Sequence, residues 1–211
     1  LVELKSDADF DRAIEAELAY IYDELEKFVP DRELLQICRL PYDFHNMKVL
    51  IKSAIRQRRN QEKRWDLLTA MGNIPTDDLI VAVESDDYRL LPFGLSSVLP
   101  GCFSIWEQTQ DVVEVEKRLD GFLFSTMLKM ARGIPFPGVV SWVRGRIDAE
   151  NVRNLARLRR INLALSQIPG FLHDGGWVSI DRLLSLYGEP LESWGRALGF
   201  ADVGSVLLQM G

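Results

Sequence analysis

A faint internal repeat, at a spacing of about a hundred residues, constrains this chain more than any other feature of its sequence. In the first copy, an apolar run and an arginine lead into Asp43-x-x-Asn46, which is followed by an apolar residue and a cation. In the second copy, the same order of residue types surrounds Asp148-x-x-Asn151. Self-similarity at a fixed spacing is the signature of proteins built from duplicated modules.

A second pair of similar segments follows the first pair at almost the same offset. The segment from Gly72 to Leu79 follows the first motif, and the segment from Gly176 to Leu183 follows the second. Two motifs repeated in the same order are much less expected by chance than either motif alone. The repeat therefore predicts a scaffold or a part of a molecular machine before it predicts a catalytic pocket.

Both Asp-x-x-Asn motifs are interpreted as helix starts. Pro41 is expected to end a short helix over Arg32 to Arg39, because proline disrupts a helix interior. Asp43 is then expected to cap a new helix that runs to about Lys63, and Asn46 falls where a side chain can bond back toward that cap. The predicted structural helix-cap motif consists of Asp43, Asn46, Asp148 and Asn151.

The rest of the chain is also predicted to be helical, because apolar residues recur every three or four positions and no segment has a convincing strand pattern. We predict an all-α fold of tandem helical modules, the first at residues 1–104 and the second at residues 105–200. Gly72 is expected to allow a turn with positive φ, Ser179 to cap a helix, and residues 92–101 to form a bend with a short helical turn. The further helices expected are Asp7 or Asp9 to Phe28, Asp77 to Ser85, Val112 to Ala131, Ile180 to Tyr187 and Glu189 to Leu198.

Composition excludes several classes of protein. A net charge of −6 and a pI of about 5.1 argue against a general nucleic-acid binder. No window approaches the ~18 uninterrupted apolar residues of a membrane span, and no signal-peptide pattern is present. Cys38 and Cys102 are expected to be buried reduced thiols. Because the chain begins at Leu1, we expect it to be a fragment.

No residue pattern predicts catalysis, a cofactor or a metal. His45 has no histidine or cysteine partner at ligand spacing, and His173 is expected in a solvated loop. A nucleophile elbow, a P-loop and a Gly-x-Gly-x-x-Gly fingerprint are all lacking. The five tryptophans are expected in the core, and the acidic pairs are expected at helix ends or in loops. The sequence therefore predicts no catalytic, cofactor-binding or metal residues.

A basic stripe at helical spacing has two interpretations. It is most simply a solvated helix face, and alternatively a surface that docks an acidic partner. Nucleic acid ranks third, because exposed aromatic residues do not interleave with the cations. The stripe consists of Lys52, Arg56, Arg59 and Lys63.

Several of these segments resemble one protein family. Residues 42–52 resemble the Tyr-Asp-x-x-Asn-Leu-Lys helix start of the C subunit of V/A-type rotary ATPases, which is equivalent to the eukaryotic V-ATPase d subunit. Residues 72–74 resemble that family's next helix entry, and residues 115–120 resemble its Ile-Glu-x-x-Leu-Asp helix. Residues 147–153 and 175–178 resemble the second-repeat versions. Met47 departs from the family's usual Leu, and Arg153 replaces the usual Lys.

The resemblance implies a funnel-shaped helical protein with three similar modules, of which residues 201–211 begin the third. It implies a non-catalytic rotor subunit in the central stalk, with no cofactor. Such a subunit is the socket between the D and F shaft subunits and the membrane proteolipid ring. It couples their rotation to ATP-linked proton or sodium transport from the cytoplasmic face of the membrane, with no transmembrane segment of its own.

Two alternatives stay open at this point. The first is a generic helical-repeat scaffold for protein–protein interaction. It shares the fold of the rotor subunit but not the third module, so the length of the native gene discriminates between the scaffold and the rotor subunit. An enzyme with an unrecognised helical pocket predicts a deep cavity with converging titratable groups.

Overall fold

The computed structural model describes residues 7–58 and 60–199, and the regular secondary structure of these residues is helical, with no β-strand. This agrees with the predicted all-α class. The α-helices are α1 (Asp7–Phe28), α2 (Arg32–Arg58), α3 (Thr76–Ser85), α4 (Leu95–Thr109), α5 (Val112–Gly133), α6 (Pro137–Arg160), α7 (Ile180–Leu186) and α8 (Leu191–Ala197). Two 3₁₀ helices cover Trp65–Leu67 and Leu165–Phe171.

The predicted helix break at Pro41 is wrong. Helix α2 runs through Pro41, so Asp43 lies inside the helix and is not its N-cap. A continuous set of buried residues on both sides of the proline explains this, because their burial outweighs the ~3 kcal/mol that an interior proline costs. That set includes Ile37, Leu40, Phe44 and Met47, all fully buried.

The second predicted cap is wrong for a similar reason. Helix α6 begins at Pro137, which suits a first helical position, and Asp148 lies in its interior. Val143 before Asp148 and Val152 after it are both buried, so one apolar face extends across the motif. Neither Asp-x-x-Asn motif starts a helix.

The two glycine segments do lead into helices. Helix α3 begins at Thr76, and Ser179 caps α7 by accepting a hydrogen bond from the Arg182 backbone N–H, as predicted. The predicted positive φ at Gly72 is wrong, because the positive-φ glycines of the described chain are Gly94 and Gly175. Residues 92–101 are only partly a bend, since α4 begins at Leu95 and contains Pro100.

The chain divides into two compact units, the first ending at Glu116 and the second beginning at Lys117. The first unit has a core from α2, α3 and α4, which includes the fully buried Leu50, Leu79 and Leu99. The second has a core in which Leu155, Leu183 and Trp194 are fully buried. Cys102 is buried and Cys38 half-buried.

The tryptophans divide into two groups. Trp106 and Trp194 are buried, as predicted. The core prediction is wrong for three others, which are 38% to 48% exposed: Trp65, Trp142 and Trp177. Each of these carries a cation over its ring, respectively Lys63, Arg146 and Arg144. A cation over the ring face stabilises an aromatic side chain without placing it in the core.

Helix α1 leaves its apolar stripe partly exposed. Phe10, Ile14, Leu18, Ile21 and Leu25 are between 36% and 53% exposed. The periodicity correctly predicted a single stripe, but it did not predict how much of that stripe would be covered.

Candidate functional site

Asp43 joins helix α2 to the segment that enters α3. Its side chain is fully buried. Oδ1 accepts a hydrogen bond from the Ile74 backbone N–H at 2.9 Å, and Oδ2 accepts one from Asn73 Nδ2 at 2.6 Å. Asn73 Nδ2 also donates to the carbonyl oxygen of Gln36 at 3.1 Å. The carboxylate therefore fixes the chain just before α3, about 30 residues away in sequence.

Asp148 makes the equivalent connection in the second unit. Its side chain is also buried. Oδ1 accepts from the Val178 backbone N–H at 3.1 Å, and Oδ2 accepts from the Trp177 backbone N–H at 2.9 Å. The carboxylate fixes the segment that leads to Ser179 and α7.

Asn46 and Asn151 form the same pair of hydrogen bonds, each to the backbone of one residue. Asn46 Nδ2 donates to the Thr69 carbonyl oxygen at 2.8 Å, and Oδ1 accepts from the Thr69 N–H at 2.9 Å. Asn151 makes both bonds to His173, at 2.8 Å and 2.7 Å. Each amide binds both backbone polar groups of one buried residue, so the nitrogen and the oxygen of the buried amide each have a partner.

We call each pair of motif side chains, with the backbone it binds, a clamp. The first clamp joins Asp43 and Asn46 to residues 69–74, and the second joins Asp148 and Asn151 to residues 173–178. The sequence singled out the four motif residues and both glycine segments. It did not predict that the two kinds of motif contact each other, although their constant separation was a signal of that contact.

A glycine is required where each clamp closes. A Cβ on Gly72 would collide with Asp43 Oδ1, and a Cβ on Gly176 would collide with Asp148 Oδ1. The glycine thus gives the backbone room to approach the carboxylate. This close approach, and not a left-handed backbone, explains the repeated glycine.

Burial perturbs both carboxyl groups. It raises the pKa of Asp43 to about 6, although the bonds from Ile74 and Asn73 and the charge of Arg39 oppose the shift. Burial likewise raises the pKa of Asp148, against the bonds from Val178 and Trp177 and the charge of Arg144. Each carboxylate is fully engaged by donors from its own chain, so the arrangement organises structure and presents no acid or base to a substrate.

The basic stripe is largely engaged within the first unit. Lys52 pairs with Glu116, and Lys63 pairs with Glu84 at 2.6 Å. Arg56 Nε donates to the Glu62 carbonyl oxygen at 3.1 Å and is otherwise exposed. Arg59 lies outside the described residues.

The two histidines differ in environment. His45 is exposed, and its Nε2 lies 3.0 Å from the Leu67 carbonyl oxygen. The predicted solvated loop for His173 is wrong, since His173 is buried and its ring lies 4.7 Å from that of Phe124. Asn151 forms two hydrogen bonds with the His173 backbone. These bonds explain why His173 is not on the surface, although Asp and two glycines follow it in the sequence.

Over the described part of the chain, no three histidine, cysteine or acidic side chains come together in a group suited to a metal ion. Within residues 7–58 and 60–199, no helix has the length and apolar character needed to cross a bilayer.

Comparison with known proteins identifies a family. Residues 2–211 match the family described as ATP synthase (C/AC39) subunit. The C subunit of the V-type ATP synthase of Thermus thermophilus is 28% identical over 188 residues, covering 84% of this chain and 55% of that protein. The C subunit of the V-type sodium ATPase of Enterococcus hirae is 21% identical over 204 residues, covering 97% of this chain and 61% of that protein. The chain thus spans 55% to 61% of the length of these relatives.

The comparison confirms the resemblance drawn from the motifs. The matched region contains both clamps, both glycine segments and all the described helices. The chain belongs to the ATP synthase (C/AC39) subunit family.

Proposed function

We propose that this chain is part of a non-catalytic central-stalk subunit of a V/A-type rotary ATPase. The observation that carries the proposal is the family match over residues 2–211, supported by two relatives named as C subunits of V-type enzymes. In this role the protein is the socket between the D and F shaft subunits and the proteolipid ring. It lies on the cytoplasmic face of the membrane and transmits rotation for ATP-linked proton or sodium transport.

The two clamps support a further part of this proposal, that the chain consists of two copies of one helical module. Helices α1 and α5 both contain 22 residues, and the separation between the starts of α1 and α5 equals that between α2 and α6. The same bonds then join α2 to the entry of α3, and α6 to the entry of α7. On this basis residues 1–104 and 105–200 are the two modules, and residues 201–211, which lie outside the described part of the chain, begin a third.

A rotor part must transmit torque without bending, and the clamps suit that requirement. Each clamp fixes a connecting segment to a long helix through several hydrogen bonds made by buried side chains. Buried, fully satisfied polar contacts favour one arrangement of a core over its alternatives. The connecting segments 69–74 and 173–178 are thus held against helices α2 and α6.

Within this role we propose that the stripe Lys52, Arg56, Arg59 and Lys63 contributes to polar docking. Arg56 is exposed, and the Lys52 side chain is 45% exposed despite its pair with Glu116. Partly exposed ion pairs are worth little in isolation, so a partner's carboxylates can compete for them.

Binding of the complete protein to purified D–F shaft tests the rotor role. Isothermal titration at low and high salt should give binding that weakens as salt rises, because exposed charges are screened. Replacing Lys52 and Arg56 together with Gln should weaken binding and reduce the salt dependence. Arg89→Gln is the control, since Arg89 is 86% exposed and lies outside the stripe.

The outcomes separate the alternatives. Absence of binding to both shaft and proteolipid ring at every salt concentration would refute the rotor role and favour a generic helical-repeat scaffold. Binding that the stripe variant leaves unchanged would keep the rotor role and reject the stripe as the docking surface.

A further inference from the structure

Arg39 in the first unit binds two carboxylates of helix α1. Its Nη1 lies 3.2 Å from Glu26 Oε1, and its Nη2 lies 3.4 Å from Asp23 Oδ1. The guanidinium carbon lies 5.0 Å from the centroid of the Tyr22 ring. The arginine side chain is only 13% exposed. Asp23 and Glu26, which lie one helical turn apart, therefore both form ion pairs with the nearly buried Arg39.

Arg144 occupies the matching place in the second unit. It precedes Asp148 by four residues, as Arg39 precedes Asp43. The helix that matches α1 is α5, and its residues at the places of Asp23 and Glu26 are Leu128 and Ala131, both buried. At these two places helix α5 therefore has no carboxylate.

Arg144 is nevertheless held in a defined position. Its Nη2 donates to the Gly176 carbonyl oxygen at 2.8 Å, and its guanidinium carbon lies 3.9 Å from the centroid of the Trp177 ring. Among the described residues, no carboxylate forms an ion pair with Arg144. The nearby charge of Asp148 is engaged by the backbone N–H groups of Trp177 and Val178.

The difference between the two arginines lies in their terminal nitrogens. Nε is buried without an acceptor in both Arg39 and Arg144, so Nε does not distinguish them. In Arg39 both terminal nitrogens face carboxylates, whereas in Arg144 one nitrogen faces a neutral carbonyl. Trp177 beside Arg144 is 48% exposed, and Trp and Arg are among the residue types enriched at the positions that contribute most of the binding energy of protein interfaces.

We propose that Arg144 and Trp177 form a docking point for an acidic helical segment of a partner protein. The segment carries two carboxylates one turn apart, as Asp23 and Glu26 do on α1. Its acids bind the terminal nitrogens of Arg144, and its neighbouring side chains cover Trp177. The inference rests on the duplicated-module part of the proposed function, and not on the rotor role.

A peptide with the sequence of residues 7–28 is the direct probe, because it contains the acid pair that Arg39 binds. Fluorescence anisotropy of the labelled peptide should report salt-sensitive binding to the 211-residue chain. The matched control peptide has Asp23→Asn and Glu26→Gln. We expect it to bind on the order of tenfold more weakly, because it has lost the charge-assisted bonds.

Variants of the chain locate the binding site. Arg144→Gln should weaken binding of the acidic peptide on the order of tenfold and leave the control peptide unchanged. Arg146→Gln is the control on the same helix, since Arg146 lies over Trp142 instead of Trp177. Circular dichroism checks that Arg144→Gln folds. If it does not, Trp177→Ala should by itself weaken binding of the acidic peptide.

Three results would overturn the proposal: no binding to the wild-type chain, equal binding of the two peptides, or binding that neither Arg144→Gln nor Trp177→Ala weakens. A complete, longer protein that fails to bind while the 211-residue chain binds would also overturn it, because another part of the same protein would then fill the site. Shaft binding reports separately on the rotor role, so the two proposals can fail independently.

Discussion

Asp43 Oδ1 accepts a hydrogen bond at 2.9 Å from the backbone N–H of Ile74, across 31 residues of chain. The bond joins the middle of a long helix to the entry of the next. Val178 makes the same bond to Asp148 in the second unit. The motif that looked like a helix cap is therefore a tertiary contact, and the predictions below depend on that difference.

Removing either carboxylate should destabilise the fold by more than loss of a surface cap. In Asp43→Ala the buried N–H of Ile74 loses its acceptor. In Asp148→Ala the buried N–H of Val178 loses its acceptor, and so does the partly buried N–H of Trp177. An unsatisfied buried donor costs about 1–3 kcal/mol, so we expect each variant to lose at least that free energy of unfolding. Urea denaturation measures it.

Asp66→Ala is the matched control for these variants. Asp66 is exposed and pairs with Arg64 at the surface, where solvent screening leaves an ion pair with little effect on stability. A loss in Asp43→Ala no greater than that in Asp66→Ala would mean that the clamp contributes nothing beyond a surface contact.

Alanine at the clamp glycines should also be destabilising. The added methyl of Gly72→Ala or Gly176→Ala would collide with a carboxylate that its own hydrogen bonds hold in place. Overpacking of this kind costs about 1–3 kcal/mol. Thermal unfolding followed by circular dichroism measures the effect.

For Gly145→Ala, in helix α6, we expect the opposite effect on stability. A Cβ at Gly145 meets nothing within 4 Å, so alanine should stabilise the helix by up to about 1 kcal/mol. If Gly72→Ala and Gly145→Ala shifted the melting temperature in the same direction, the close approach at Gly72 would not be the reason for that glycine.

The sequence predicted the helical class, most helix positions and the residues that make the clamps. The prediction of a helix end at Pro41 was wrong. The local preference of proline favours an end there, but the burial of Ile37, Leu40 and Phe44 stabilises a helix that continues through it. Propensity describes the isolated segment, and the packing of α2 against α3 is not visible in that segment.

The backbone groups that the clamp side chains bind could not be predicted from the sequence, for a different reason. Asn46 and Thr69 are far apart in the chain, and nothing in either residue type specifies a bond between a side-chain amide and a backbone. His173 illustrates the same limit, since its burial follows from Asn151 and Phe124 rather than from its neighbours in sequence.

The raised pKa of Asp43 predicts a dependence of stability on pH. Burial raises the pKa to about 6 from an ordinary value of 3.8, so the folded state binds the proton more tightly than the unfolded state. The resulting stabilisation is fully present below the unfolded pKa, and it is lost as the pH rises through 6. In the Asp43→Asn variant this contribution is absent.

Urea unfolding of the wild type and of Asp43→Asn at several pH values between about 4 and 7 tests this linkage. The free energy of unfolding of the wild type should fall relative to that of the variant as the pH rises. Parallel curves would indicate that the bonds from Ile74 and Asn73 cancel the effect of burial on the pKa.

Native-state hydrogen exchange tests most directly the claim that equivalent clamps organise both units. The amides of Ile74 and Val178 should be protected in the wild type. Asp43→Ala should remove protection at Ile74 alone, and Asp148→Ala should remove it at Val178 alone. Exchange of both amides at unfolded-chain rates in the wild type, or protection that survives loss of the carboxylate, would contradict the account.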